Sequence, residues 1–287
     1  MKELENFLKE SLFFQFSLGV NDIFDFTTGR SFSFKKKENN ENSNQNFKKE
    51  QDEEDSKDII DIKTIDSDNI QNQTNEHTNN DILYELTNKL SEINNFDDLV
   101  ESIKKDCKCD IKKYAKNDVI FDGYKEAKIM LIGEAPGANE DLEGRPFCGQ
   151  SGKLLRTALS YINLNTDNML ITNNVFWRPP ENRKPTDIEL QVCKPFLLKM
   201  IEIVKPKIII LCGSIATNNL LKIEAKMSQI AGTTNIKTFA FNNSSEKIIM
   251  FPIFHPSFLL RQPSMKKIFW KHLLILQENI KQLGCIE

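Results

Sequence analysis

KIMLIGEAPGANEDLEGRPFCGQSGKLL, residues 128–155, opens with a short apolar run and then turns sharply through glycine and proline before a helical pattern begins. Three more runs behave the same way. NMLITNN (168–174), KIIILCG (207–213) and KIIMFPIF (247–254) each precede a loop carrying Gly, Asn, Pro or His. Helical stretches at Gly152–Ile162, Asp187–Val204 and Ala216–Leu221 lie between them. Continuous apolar strands alternating with helices predict a mostly parallel sheet covered on both faces, an α/β fold. Such sheets bind ligands beyond the carboxyl ends of their strands. The chemically distinctive residues of this chain all fall just after those four runs, which points to a single site.

The rest of the chain is different in kind. Hydrophobic residues make up 39% of the 287, too few for a chain that is globular throughout, so part of it is expected outside the core. Apolar positions at helical spacing (Leu4, Phe7, Leu8, Leu12, Phe13) predict a helical extension over 1–34. Residues 35–80 are rich in Asn, Gln, Glu, Asp and Lys and nearly lack aromatics; they cannot bury enough apolar area to offset chain entropy and read as a disordered linker. Helical periodicity returns over 81–105, and residues 81–287 read as the main domain, with a core at 128–280.

From Lys128 onward 20 Lys and Arg face 13 Asp and Glu, whereas residues 1–127 hold 18 and 28. A basic domain suits a polyanionic partner, because neutralising phosphates releases counterions. No run of 18 apolar residues is present, Glu3, Glu5 and Glu10 interrupt the apolar start, and six cysteines show no disulfide framework. These features predict reduced thiols, no membrane span and a cytoplasmic location, associated with the nucleoid through DNA.

Three loops carry the candidate chemistry. In the first, Gly149-Gln150-Ser151-Gly152-Lys153 suggests a phosphate-binding P-loop, but Phe147 and Leu154 stand where that pattern needs Gly and Ser or Thr. Phe147 is either a core aromatic or a flat surface on which a base stacks. In the second, Asn173 ends a strand; its amide is either a turn cap or a donor–acceptor pair matching a pyrimidine edge. Arg178, Arg183 and Lys184 follow among prolines, as phosphate contacts or solvated side chains. In the third, His255 and Ser257 end the fourth run, and Phe258, Leu259, Leu260 and Arg261 join apolar side chains to a cation. That combination can wedge into a base stack while gripping phosphate, or can start a helix packed on its own leucines.

These residues carry a resemblance. GEAPG-x-x-ED-x-x-G-R-PF-x-G-x-x-G-x-LL, then ITN-x-V-x-x-RPP-x-NR-x-P, then HPS-x-LLR resembles family 4 of the uracil-DNA glycosylase superfamily, over roughly residues 106–280. The resemblance implies a three-layer α/β/α fold around a four-stranded, largely parallel sheet. It implies a monofunctional hydrolase of base-excision repair that flips uracil out of DNA and cleaves its N-glycosidic bond, leaving an abasic site. By position, Phe147 is expected to stack on uracil, Asn173 to read its amide edge and His255 to bond O2. Backbone near Glu134 and Ala135 is expected to line the pocket, and Glu140 to position the attacking water. Arg178, Ser257, Leu259, Leu260 and Arg261 are expected to face DNA. Two alternatives stay open: a glycosylase of broader base choice, taking hypoxanthine or xanthine, and a non-catalytic binder of uracil-containing DNA. A monomer is the default expectation.

One departure concerns a cofactor. Most members of the family hold an iron–sulfur cluster through four cysteines. The matching positions here are Asp106, Cys109, Trp177 and Cys193, and Cys107 offers a substitute at the wrong spacing. At most three thiolates remain against the usual four, so no 4Fe–4S cluster is expected.

Overall fold

In a computed structural model the described residues are 22–25 and 30–33 (backbone), 86, 88–241 and 245–286. The first two pieces form an antiparallel pair, β1 (Asp22–Asp25) and β2 (Arg30–Ser33), with Ile23 opposite Phe32. Strand, not helix, thus occupies the end of the extension that was expected to be helical. β-branched and aromatic residues such as Ile23, Phe24 and Phe32 favour the pleated backbone. The helical positions 4–13 and the Asn-rich linker 35–80 lie outside the described residues.

The remaining strands form one six-stranded sheet. They are β3 (Asp122–Gly123), β4 (Ile129–Gly133), β5 (Leu170–Asn173), β6 (Ile208–Cys212), β7 (Asn235–Ala240) and β8 (Ser245–Ile253). Their order is β3-β5-β4-β6-β8-β7. The four central strands, β5, β4, β6 and β8, are all parallel and are the four apolar runs of the sequence. The short β3 and the polar β7 pair antiparallel at the two edges and extend the expected four strands to six.

Period-two alternation explains the layers. Met130, Ile132, Leu170, Ile209, Leu211, Ile248 and Met250 point to one core, with the helices α1 (Phe96–Asp106) and α4 (Asp187–Val204). Ile129, Leu131, Ile171, Ile208, Ile210, Phe251 and Ile253 point to the other, with α3 (Gln150–Ser160) and α8 (Lys266–Gln282). Because both faces are buried, the strands read as unbroken apolar runs. The shorter helices are α2 (Ala138–Glu143), α5 (Ser214–Leu221), α6 (Met227–Ile230) and α7 (Pro256–Arg261). The architecture is therefore three-layered, α/β/α. Among the described residues no helix is long and apolar enough to cross a membrane.

The chain runs from central β4 outward to β5, then crosses to the other side of β4 for β6 and β8. That reversal opens a crevice at the carboxyl ends of the strands. Gly133, Asn173, Gly213 and Phe254-His255 all lie at this edge.

Candidate active site

A pocket of about 850 Å³ occupies the crevice. Glu134, Ala135, Glu140, Phe147, Asn173 and His255 line it, as do Ser257 and Arg261. The three loops singled out in the sequence thus converge on one cavity.

Its inner end is shaped by Gly133. A Cβ there would meet the Asn173 Oδ1 within contact distance and lie 2.5 Å from the Phe147 ring. Only a residue without a side chain lets the ring and the amide close over the end of β4. Asn173 is nearly fully buried, yet its amide has no hydrogen-bond partner among the described residues. Its polar atoms are not among the buried unpaired ones, because they open on the pocket, where they are free to meet whatever enters. Its neighbour Asn174 is fully engaged. The Asn174 backbone N–H and its amide both donate to the Gly133 carbonyl, at 3.0 and 2.7 Å. Asn219 donates to the Asn174 Oδ1 at 2.7 Å, and Lys194 donates to Asn219. This chain of bonds fixes the strand end that carries Asn173.

Phe147 adopts a left-handed backbone, φ 54°. Arg156, from α3, holds it there by donating to the Phe147 and Pro146 carbonyls at 2.9 and 2.8 Å while pairing with Asp122. Gly152 permits the fold-back, since a Cβ at that position would strike the Phe147 backbone. Positive φ in an aromatic residue is strained and persists only when its surroundings over-determine it.

Glu140 ties the two ends of the first loop together. Its carboxylate accepts from the Gly137 N–H at 3.1 Å and from the Gly149 N–H at 2.8 Å. Glu134 has no such partner; burial raises its carboxyl above the ordinary range, and Lys184 pulls the other way.

His255 caps α7. Its Nδ1 accepts from the Ser257 backbone N–H at 3.3 Å and lies 2.8 Å from the Ser257 hydroxyl. A ring nitrogen that accepts a backbone N–H is unprotonated, so the neutral ring carries its proton on Nε2. Burial, aided by the Arg261 charge and opposed by Glu140, pushes the imidazole down to about 4. His255 is therefore a neutral donor at pH 7. Gly213, at φ 92°, makes room for it: a Cβ would come 3.0 Å from that of His255. In an NMR titration the His255 ring is expected to stay neutral from pH 8 to 5 and to titrate near 4; a midpoint near 6.5 would remove the neutral-donor assignment. Folding is coupled to this shift. Between 6.5 and about 4 the unfolded chain binds a proton that the folded ring refuses, so stability present above pH 6.5 is lost as pH falls through that window.

The structure corrects one residue, Leu259, and shows the partners of two others, Arg178 and Arg183. Leu259 was expected at the DNA surface, but it is fully buried in the second core, because α7 turns that face inward. Leu260, on the opposite face, is exposed. Arg178 does not line the pocket: it donates to the Asn182 Oδ1 at 2.8 Å and lies 4.0 Å from Asp141, which shapes the following loop. Arg183 is likewise committed, in a two-pronged pair with Glu189 at 2.8 and 2.6 Å that seats the loop on the start of α4. Lys184, which carries no ion pair among the described residues, remains on the pocket wall. The roles of Arg156, Asn174 and Gly213 were not foreseen. The glycine closing the third strand run was the one signal for Gly213, and it read only as a strand boundary.

The positions matching the family's cluster ligands lie outside the pocket, in the first core. Cys107 and Cys193 are buried with sulfurs 3.9 Å apart, and Cys109 interacts with Cys193. Hydrogen bonding to Cys107 and Cys109, reinforced by burial, holds Cys193 well above the ordinary thiol range. Trp177 fills the fourth position: its indole is fully buried and donates to Asp118 at 2.6 Å. Asp106 is turned to Lys89, at 2.7 Å, and Ser102. Three thiols and an indole do not fit a cluster held by four thiolates. Among the described residues no group of three or more His, Cys, Asp or Glu side chains is arranged to hold a metal ion.

Comparison with known proteins supplies the family. The model of the uracil DNA glycosylase superfamily matches residues 121–274. The chain is 40% identical over 178 residues to a type-4 uracil-DNA glycosylase of Saccharolobus solfataricus, covering 61% of this chain and 82% of that protein. It is 35% identical to a namesake of Archaeoglobus fulgidus over 192 residues, 66% and 91% of the two chains. A third, of Thermotoga maritima, is 35% identical over 186 residues, 64% and 94%. The glycine-framed pocket of Phe147, Asn173 and His255 lies within the matched span, and the chain belongs to the uracil DNA glycosylase superfamily.

Proposed function

We propose that the pocket receives a uracil flipped out of DNA and that the chain hydrolyses its N-glycosidic bond, leaving an abasic site for base-excision repair. The observation that carries this reading is the Asn173 amide, free of other hydrogen bonds and open to the pocket, set against the Phe147 ring. An amide donates and accepts along one edge, which complements the N3–H and O4 of uracil. The ring offers a face for stacking, which helps offset the few kcal/mol that extrusion costs.

Cleavage pushes negative charge onto the departing base and positive charge onto the sugar. Neutral His255, with Nε2–H directed by the Ser257 cap, is a preorganised donor for O2, where that charge develops. Such donors usually make the largest electrostatic contribution to catalysis. Each Glu140 oxygen accepts one backbone N–H and keeps a second lone pair, so the carboxylate can hold the attacking water without releasing the loop. Arg261 and Ser257, on the pocket lining, are assigned to the phosphate contact, and the exposed Leu260 between them in sequence to the apolar wedge.

Incubation with oligonucleotides containing a single uracil, hypoxanthine or thymine, followed by alkaline cleavage, tests the reading. Strand breaks at uracil alone are expected. Breaks at hypoxanthine at a comparable rate would replace it with a broader base choice, and binding without breaks with a non-catalytic role.

The chain is proposed to fold without an iron–sulfur cluster, its place taken by packing of Trp177 and the three thiols. Iron and sulfide analysis of anaerobically purified protein is expected to give less than one iron per chain; about four irons, the content of one 4Fe–4S cluster, would overturn this.

A further inference from the structure

The pocket is larger than its inner end requires. A volume of about 850 Å³ is the scale of a site for a ligand of several rings, more than the single base assigned to Phe147, Asn173 and His255 requires. The same pocket has a largely apolar stretch of lining away from the Asn173 amide. Met227 from α6, Phe254, Phe258 from α7 and Met265 form it, with Arg261 and Gln262 at the rim. This shelf is braced from behind. Phe254 lies 5.3 Å from the Phe258 ring and stacks on His272 at 5.5 Å. Gly232 admits His272 to that stack, because a Cβ there would run into the imidazole.

We propose that this shelf is a second subsite, which takes the nucleobase adjacent to the flipped uracil in the same strand, with the phosphate between them at Arg261. The proposal rests on the uracil reading of the inner pocket. Three features select this occupant. The shelf is continuous with the base pocket, so whatever covers it is covalently close to the first base. Two thioethers beside an aromatic ring adapt to any planar face, and every base has one. Arg261 has no ion pair among the described residues, and its charge already reaches His255. A neighbouring base can reach the shelf only if it too leaves its stack, so the subsite favours single-stranded or frayed DNA.

Single-turnover excision from single-stranded oligonucleotides tests this. Four substrates are compared: uracil with both neighbours, with the 5′ neighbour replaced by an abasic analogue, with the 3′ neighbour replaced, and with both replaced. Removing one particular neighbour is expected to weaken apparent binding five- to a hundred-fold, while removing the other changes it less than two-fold. In a Met227→Ala/Met265→Ala variant the ratio between intact and neighbour-lacking substrates is expected to collapse toward one. Uracil release that is indifferent to both neighbours overturns the subsite alone. A neighbour effect that survives undiminished in the double variant also overturns it, by placing the base elsewhere. Absence of release from every substrate overturns the uracil reading and the subsite with it.

Discussion

Asn173→Ala and His255→Ala are each expected to lower kcat/KM for uracil excision by about a hundred- to a thousand-fold, the cost of removing one preorganised donor from a developing negative charge. Neither change should unfold the protein. The Asn173 amide makes no hydrogen bond among the described residues, so its loss leaves no group in the core unsatisfied. His255 loses only the cap it supplies to Ser257 on a six-residue helix. Single-turnover rates measured beside thermal melts separate the two effects. Wild-type rates in either variant would remove that residue from the site, and a collapsed melting transition would make its role structural.

The second large effect comes from a residue with no side chain at all. Gly133→Ala places a methyl group where the Phe147 ring and the Asn173 amide now meet. Both obstacles are the far ends of side chains, so the fold can accommodate the change by swinging them away. Those ends are the proposed base-binding surfaces, and displacements of about an ångström cost on the order of a hundred-fold in rate. The expected outcome is a folded protein whose excision rate falls by at least that factor. Gly152→Ala provides the contrast. There the obstacle is the Phe147 backbone itself, which cannot rotate aside, and a clear loss of thermal stability is expected. A Gly133→Ala variant with undiminished activity would show that the ring and the amide do not bound the base pocket.

The parallel sheet was legible because each central strand is buried on both faces and leaves an unbroken apolar run. The edge strands were not. β3 is only Asp122-Gly123, and β7 exposes Ile236, Thr238 and Ala240 while half-burying the polar Asn235 and Lys237, so neither leaves an apolar run in the sequence. The convergence of the Phe147, Asn173 and His255 loops was legible for a topological reason: every loop that follows a parallel strand opens on the same edge. The phase of α7 was not, since six residues are too few for periodicity to say which of Leu259 and Leu260 faces inward. Supporting contacts were hidden for another reason. Arg156 reaching back to Phe147, Asn219 bracing Asn174 and Glu189 seating Arg183 are meetings that depend on how the elements pack, and no local pattern marks them.

The reduced cysteine set shows the same division. Counting thiols at Cys107, Cys109 and Cys193 and placing Trp177 at a ligand position were possible from the sequence; that its indole is fully buried and anchored by Asp118 needed the fold. The Phe147–Asn173–His255 pocket and the thiol-rich core lie at different places in the domain, so the composition of one does not set the geometry of the other.

The most direct test of the central claim is product analysis on a single-stranded oligonucleotide with one uracil. Free uracil and abasic sites should appear together in a one-to-one ratio, with no strand break until alkali is added. Tight binding of the oligonucleotide with no free uracil, or release of a base other than uracil from matched controls, would contradict the account.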